Sequence, residues 1–254
     1  MYLETIVEKR RQDVEEAKKT RPLEAPAPLR ESGRFYRSLA QNPIGLICEI
    51  KRASPSKGPL ADIPSPAALA RVYEQSGACA ISVLTEERHF KGTPADLIEV
   101  RQSVGIPVLR KDFIVDAYQV LEAAHWQADA YLLIVAILDD ETLCELISLG
   151  HALGLEPLLE VHDAAELERA LGTEARVIGI NNRSLKTFDV NLDRTLDLIP
   201  RIPAGRLIVA ESGYSDRKSV VRVEEAGAHG VLIGEALVTA GDPGTTIRKL
   251  AGFL

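Results

Sequence analysis

Glu49-Ile50-Lys51-Arg52-Ala53-Ser54-Pro55-Ser56-Lys57-Gly58 follows the apolar segment Ile44 to Cys48 and carries Ser-Pro and Gly-Pro, so it reads as a strand emptying into a loop. Side chains alternate between the faces of a strand, which puts Glu49 and Lys51 on the same side. A carboxylate and an ammonium at the end of an otherwise apolar strand are costly to bury and add nothing to packing. Taken alone, the pair is as well explained by a strand-end ion pair as by a site. The pattern recurs along the chain, and that recurrence decides the fold.

Apolar runs of strand length occur at Gly45 to Lys51, Ala78 to Thr85, Pro107 to Lys111, Ala130 to Ile137, Pro157 to Val161, Val177 to Asn182, Leu207 to Glu211 and Gly230 to Gly234. Helical patterns follow them at Pro66 to Ser76, Pro94 to Ser103, Ala117 to Trp126, Asp140 to Leu153, Ala164 to Leu171, Leu192 to Ile199, Asp216 to Ala226 and Gly244 to Leu250. The repeat of about 26 residues is a natural βα length. Near-continuous apolar strands imply a sheet buried on both faces, hence a parallel one. The predicted class is α/β, a closed (β/α)8 TIM barrel over 45–254. A helical extension over 1–44 packs on it, the whole forming one domain. Within the extension, helices are predicted at Tyr2 to Thr20, closed by Pro22, Pro26 and Pro28, and at Arg34 to Ala40. A doubly wound open sheet is the alternative, weakened by the lack of GxGxxG after the first strand.

The formal net charge of −7, with no long basic stripe, argues against nucleic acid as a partner. It also requires that an anionic substrate be caught by local cations and amides. No apolar run approaches the roughly 20 residues of a membrane span, and the start of the chain (Glu4, Glu8, Lys9, Arg10, Arg11) has no apolar signal core. Cys48, Cys79 and Cys144 are scattered without CxxC spacing and read as buried thiols of a reducing compartment. A cytoplasmic protein is expected, and a monomer in preference to an obligate oligomer. His89, His125, His151, His162 and His229 show no metal-ligand pattern and are read as structural, so no metal is expected. Arginine outnumbers lysine 20 to 10, and Asn (4), Gln (6) and Met (1) are scarce, which fits a heat-stable protein as well as a biased genome.

In a barrel the chemistry lies at the carboxyl ends of the strands. Read in order, those ends hold Glu49 and Lys51, Thr85, Lys111, Glu160, Asn181 with Arg183, Glu211 with Ser212, and Gly234. Three carboxylates and two lysines converging on one mouth are poorly explained as unrelated strand caps.

These motifs resemble the indole-3-glycerol phosphate synthase family. The resemblance rests on Leu46 to Gly58, Val108-Leu109-Arg110-Lys111-Asp112-Phe113-Ile114, Leu159-Glu160-Val161-His162, Gly179-Ile180-Asn181-Asn182-Arg183, Ala210-Glu211-Ser212-Gly213 and Leu232-Ile233-Gly234-Glu235. It covers the whole chain, and the first motif is the specific one. It implies closure of 1-(2-carboxyphenylamino)-1-deoxyribulose 5-phosphate to indole-3-glycerol phosphate, with loss of carbon dioxide and water, without a cofactor, in tryptophan biosynthesis. The small anionic substrate is then the expected partner.

Such a reaction needs an acid to polarise the ketone, and Lys111 is the candidate. Glu160 fits the general base or the proton shuttle of dehydration. Lys51 either holds the substrate's anionic groups or acts as the second acid, with Glu49 as its orienter. Asn181 and Arg183 look like carboxylate binders. Glu211 is similar to a family residue that positions lysines or substrate hydroxyls. Ser212-Gly213 and Gly234-Glu235 fit a barrel phosphate site, Glu235 through its amide with its side chain turned away. Phe90, Phe113, Leu132 and Leu185 match the family's apolar pocket. The loop Arg52 to Asp62, with Ser54, Ser56 and Lys57, is expected to close over substrate. A Schiff-base aldolase and a catalytically silent phosphate-binding barrel are the rival readings.

Overall fold

A computed structural model of the chain describes residues 2–27, 31–41 and 44–253, so that Pro28 of the expected helix-closing prolines lies outside the described residues. The strands are β1 (Gly45–Ile50), β2 (Ala80–Leu84), β3 (Val108–Lys111), β4 (Ala130–Ile134), β5 (Glu156–Val161), β6 (Val177–Asn181), β7 (Leu207–Glu211) and β8 (Gly230–Ile233). They pair in parallel in chain order, and β1 closes the ring by pairing with both β2 and β8. The fold is a (β/α)8 barrel.

Every residue of these strands is buried except Lys111, which is half-buried. Alternation sorts them into two cores. Ile47, Leu109, Leu132, Leu158, Val209 and Leu232 fill the barrel interior. Leu46, Cys48, Ile81, Val108, Leu133 and Ile208 face the helix layer. On this alternation Glu49, Lys51, Lys111, Glu160, Asn181 and Glu211 continue the inward rows of β1, β3, β5, β6 and β7.

Most helices between strands begin with short polar caps, as sequence grammar favours, α8 (Asp193–Leu198) with Leu192 at its start being an exception. Ser65 accepts from the Ala68 amide at the start of α3 (Pro66–Gln75), and Thr93 and Asp96 form a capping box on α4 (Pro94–Ser103). Asp116, Asp139, Asp163, Asp216 and Asp242 cap α5 (Ala117–His125), α6 (Asp140–Ala152), α7 (Ala164–Leu171), α9 (Arg217–Ala226) and α11 (Pro243–Ala251).

Three expectations change in detail. The fourth strand stops at Ile134, and Val135–Ile137 form a 3-10 turn whose released carbonyl, Val135 O, accepts from Arg169 at 3.0 Å. Hydrophobicity alone does not distinguish the two conformations in so short an apolar run. The eighth helix, α8, is Asp193–Leu198, and Pro200 sits in a 3-10 turn after it. After β8 comes a four-residue helix, α10 (Glu235–Val238), too short to show a period.

The two leading helices, α1 (Tyr2–Thr20) and α2 (Arg34–Ala40), serve opposite ends of the barrel. Phe35 and Leu39 of α2 are fully buried in the interior core, where Leu39 fills the space left by Gly45 and Gly230 on β1 and β8. Arg34 donates to Asp129 at 2.7 Å, and the Arg176 guanidinium stacks on the Tyr36 ring at 4.6 Å. Ile6 of α1 joins the same core from the other end, where it lines a cavity.

Leu39→Ala should therefore lower unfolding free energy by about 2–5 kcal/mol in urea titration. Activity below the melting transition should hold, because the lesion lies at the barrel end away from the cavity; a stability matching the native chain would contradict this packing.

Candidate active site

The carboxyl ends of the strands open into a cavity of about 630 Å³, and every residue that the sequence placed in the site lines it. At its floor Lys51 Nζ meets Glu49 Oε1 at 2.7 Å. Lys111 Nζ lies 3.4 Å from Glu160 Oε2 and 3.8 Å from Glu211 Oε2. Glu49, Glu160 and Glu211 are all buried. Burial works against the Lys111 ammonium, but Glu160, Glu211 and Glu49 outweigh it and hold Lys111 above its ordinary range. Burial also works against charge on Glu160; Lys111 and His162, with a hydrogen bond from Asn181, hold it well below the usual carboxylate range. Glu211 goes the other way. Burial, and then the charge of Glu160, push it well above that range against the pull of Lys111. Two neighbouring carboxyls with affinities driven apart are the arrangement in which one stays a base and the other keeps its proton.

The sequence provides room for these groups by omission. A Cβ on Gly179 would collide with the Glu211 carboxylate, and one on Gly234 with that of Glu49. Lys111 is held by its neighbours. Fully buried Arg110 points into the helix layer, donating to Gln119 O at 2.5 Å and to Asp112 and Glu122 at 3.0 Å each, and it stacks on Trp126 at 4.2 Å. Asp112 also receives Arg10 of α1 at 2.5 Å and the Thr85 hydroxyl at 2.6 Å. Burial opposes the Asp112 charge, yet Arg10 and Arg110 hold its carboxyl down at about 2. The same network ties α1 to the strand that carries Lys111.

The end of β7 beyond Glu211 lines the same cavity. Ser212 and Gly213 both have left-handed backbone, φ 64° and 95°, a tight turn that leaves the β7 end open to the cavity. Asn182 fixes it, donating to Ser212 O at 3.1 Å and Tyr214 Oη at 3.0 Å while accepting from the Thr195 hydroxyl at 2.8 Å. Asn182 has no reading in the sequence beyond a strand-end amide beside Asn181. Asn181 accepts from the Arg183 amide at 2.9 Å.

The loop after β1 forms a small hairpin, Ala53–Ser54 against Gly58–Pro59. Its base is anchored by Arg52, bidentate to Asp96 at 2.5 and 3.0 Å. Its tip reaches across the mouth, where Lys57 pairs with Glu235. The sequence reading gives Glu235 a backbone role alone. In the structure its side chain is also engaged, by Lys57 and at 3.9 Å by Arg183, because two cations face it. The Ser54 hydroxyl and Glu211 Oε1 are buried without a hydrogen-bond partner among the described residues.

Phe90 and Phe113 pack at 6.0 Å between centroids, and Leu132 and Leu185 complete an apolar wall. Leu3 and Ile6 of α1 belong to the same lining and were not legible. An amphipathic helix announces that it packs, not on what. Among the described residues no group of three or more His, Cys, Asp or Glu could hold a metal, and no helix is long and apolar enough to cross a membrane.

A closed barrel whose mouth gathers two lysines and three buried carboxyl groups defines a (β/α)8-barrel enzyme of the acid–base type. Solved barrels confirm the fold alone: 3-hexulose-6-phosphate synthase superposes with a TM-score of 0.63 at 15% identity, over 82% of this chain and 99% of that one. A chain of the tryptophan synthase α2β2 complex from Pyrococcus furiosus gives 0.61 at 16%, over 82% and 97%. Sequence comparison goes further. The profile of the indole-3-glycerol phosphate synthase family matches residues 3–250. The indole-3-glycerol phosphate synthase of Carboxydothermus hydrogenoformans is 46% identical over 98% of this chain and 99% of its own. That of Kineococcus radiotolerans is 51% identical over 84% and 78%. The chain belongs to the indole-3-glycerol phosphate synthase family.

Gly179→Ala tests the role of omission. The added methyl displaces the Glu211 carboxyl, and kcat should fall on the order of 10–10²-fold with far-UV circular dichroism unchanged. Full activity in this variant would show that Glu211 need not sit where the structure has it.

Proposed function

We infer that Lys111 is the general acid of the ring closure catalysed by this enzyme, a carbon–carbon lyase of tryptophan biosynthesis. The reaction converts 1-(2-carboxyphenylamino)-1-deoxyribulose 5-phosphate to indole-3-glycerol phosphate, carbon dioxide and water. The observation that carries the assignment is a half-buried ammonium facing the cavity among three carboxyl groups, Glu160 at 3.4 Å and Glu211 at 3.8 Å, with Glu49 acting from further off. A cation so held donates a hydrogen bond to the ketone oxygen as the aromatic ring attacks it, and it cannot act as the neutral amine that a Schiff-base aldolase needs.

Once the ring has closed, the carboxylate leaves as carbon dioxide and rearomatises part of the system. A hydroxyl then departs with a proton. Glu160, ionised, takes that proton. Glu211, which keeps its own, acts as a hydrogen-bond donor within the cluster. Lys51, oriented by Glu49 at 2.7 Å, is the second cation available to the departing hydroxyl or to the substrate's anionic groups. Asn181 holds Glu160, and Arg183 meets the carboxylate of the anthranilate ring. The substrate phosphate takes the amides of Ser212 and Gly213 with those after Gly234. Ser54, Ser56 and Lys57 close from the β1 loop, and Phe90, Phe113, Leu132 and Leu185 receive the ring.

The same proposal takes the enzyme to be a cytoplasmic monomer. Support comes from a cavity that one chain completes and from three free thiols, Cys48 and Cys79 buried as expected and Cys144 exposed instead, on the solvent side of α6. Heat stability is proposed from the composition alone.

Indole fluorescence should grow when the carboxyphenylamino-deoxyribulose phosphate is added to the native chain. In folded Lys111→Ala the rate should fall roughly 10²-fold or more. A flat trace from the native chain would remove the synthase reading, and a fully active variant would remove Lys111 as its acid.

A further inference from the structure

Behind Glu160, outside the cavity lining, lies a histidine that the sequence reading treats as structural. His162 follows β5 and its ring is nine-tenths buried. Its Nε2 lies 3.2 Å from Glu160 Oε1. Its Nδ1 lies 3.0 Å from Glu166 Oε2 on α7, and the same oxygen accepts the His162 amide at 2.8 Å. The groups facing the ring are thus Glu160 from β5 and Glu166 from α7. Lys111 of β3 and Glu211 of β7 stand beyond Glu160.

The arrangement divides the Glu160 carboxylate between two cations. Oε2 faces the Lys111 ammonium and Oε1 faces the imidazole. Nε2 makes no aligned hydrogen bond, so what it offers Glu160 is charge and a fixed wall, not a directed proton. Glu166 clamps the far side of the ring and sets its tilt. Without the imidazole the carboxylate would be free to swing away from the cavity and would lose one of its two counter-charges.

We propose that His162, clamped by Glu166, is a positioning residue for Glu160, which it holds ionised and aimed into the cavity. The inference rests on the role of Glu160 given above. Burial works against charge on the ring, yet the contacts with Glu160 and Glu166 outweigh it and raise His162 to about 9. With the folded value raised, the stabilisation is complete below the ordinary value of 6.5 and is lost as pH rises through about 9. At neutral pH the imidazolium persists.

The experiment is the titration of the Glu160 carboxyl by 13C NMR in the native chain, His162→Asn and Glu166→Gln, beside kcat and KM across pH. In His162→Asn the Glu160 midpoint should rise by about one pH unit or more. The acid limb of kcat should move up with it, and kcat should fall about tenfold while KM changes little. Glu166→Gln, which keeps a hydrogen-bond acceptor but removes the charge, should move both readings the same way by less. An unchanged Glu160 midpoint in folded His162→Asn, or a loss confined to KM or to melting temperature, overturns the proposal. Should His162→Asn fail to fold, Glu166→Gln decides by the same readings. A native chain without synthase activity sinks the functional reading instead, and the carboxyl midpoints still decide this one.

Discussion

The molecule is organised around keeping charge where water is scarce. An unpaired ion in such a place costs several kcal/mol, and pairing offsets this only with close geometry and further hydrogen bonds. The pairs Lys51–Glu49 and Lys111–Glu160 meet that condition at 2.7 and 3.4 Å. Glu211, third in the group, is pushed by burial and the charge of Glu160 above the ordinary carboxylate range. Much else in the structure follows from this constraint. Glycines stand opposite Glu211 and Glu49, an asparagine holds Glu160, and a second charge network locks the strand that carries Lys111.

That second network shows how the outer and inner faces of one strand divide labour. Arg110 and Asp112 flank Lys111, and they link β3 to α1 and α5 through Arg10 and Glu122. A buried arginine with every neighbour satisfied fixes orientation more than it adds stability. Its effect is to leave Lys111 one place to point. The leading helices are therefore part of the site's construction. The first shapes the cavity through Leu3 and Ile6, and the second plugs the far end with Phe35 and Leu39.

Most of this was legible in the sequence, for a physical reason. A parallel strand buried on both faces must be apolar throughout, so a polar residue at its end is conspicuous. That contrast marked Glu49, Lys51, Lys111, Glu160, Asn181 and Glu211, and the structure brings them to one cavity. What stayed hidden depends on contacts between elements distant in sequence. Leu3 and Ile6 carry the ordinary pattern of an amphipathic helix. His162 looks like any loop histidine until β5 and α7 set carboxylates on both its sides. The reach of Lys57 to Glu235 joins the first loop to the last, and nothing local to either announces it. The four-residue helix after Gly234 and the turn after Ile134 were too short for periodicity to separate from their surroundings.

The central claim is that Lys111 works as a cation held by carboxylates, and its charge can be observed directly. With 15N-labelled lysine, the Lys111 Nζ resonance, assigned by its loss in a Lys111 variant, can be followed through an alkaline titration of the resting enzyme. The structure requires it to stay protonated beyond the ordinary lysine value of 10.5. Loss of the proton at or below that value would mean that the carboxylates do not hold it, and the account of the site as an acid–base cluster would fail.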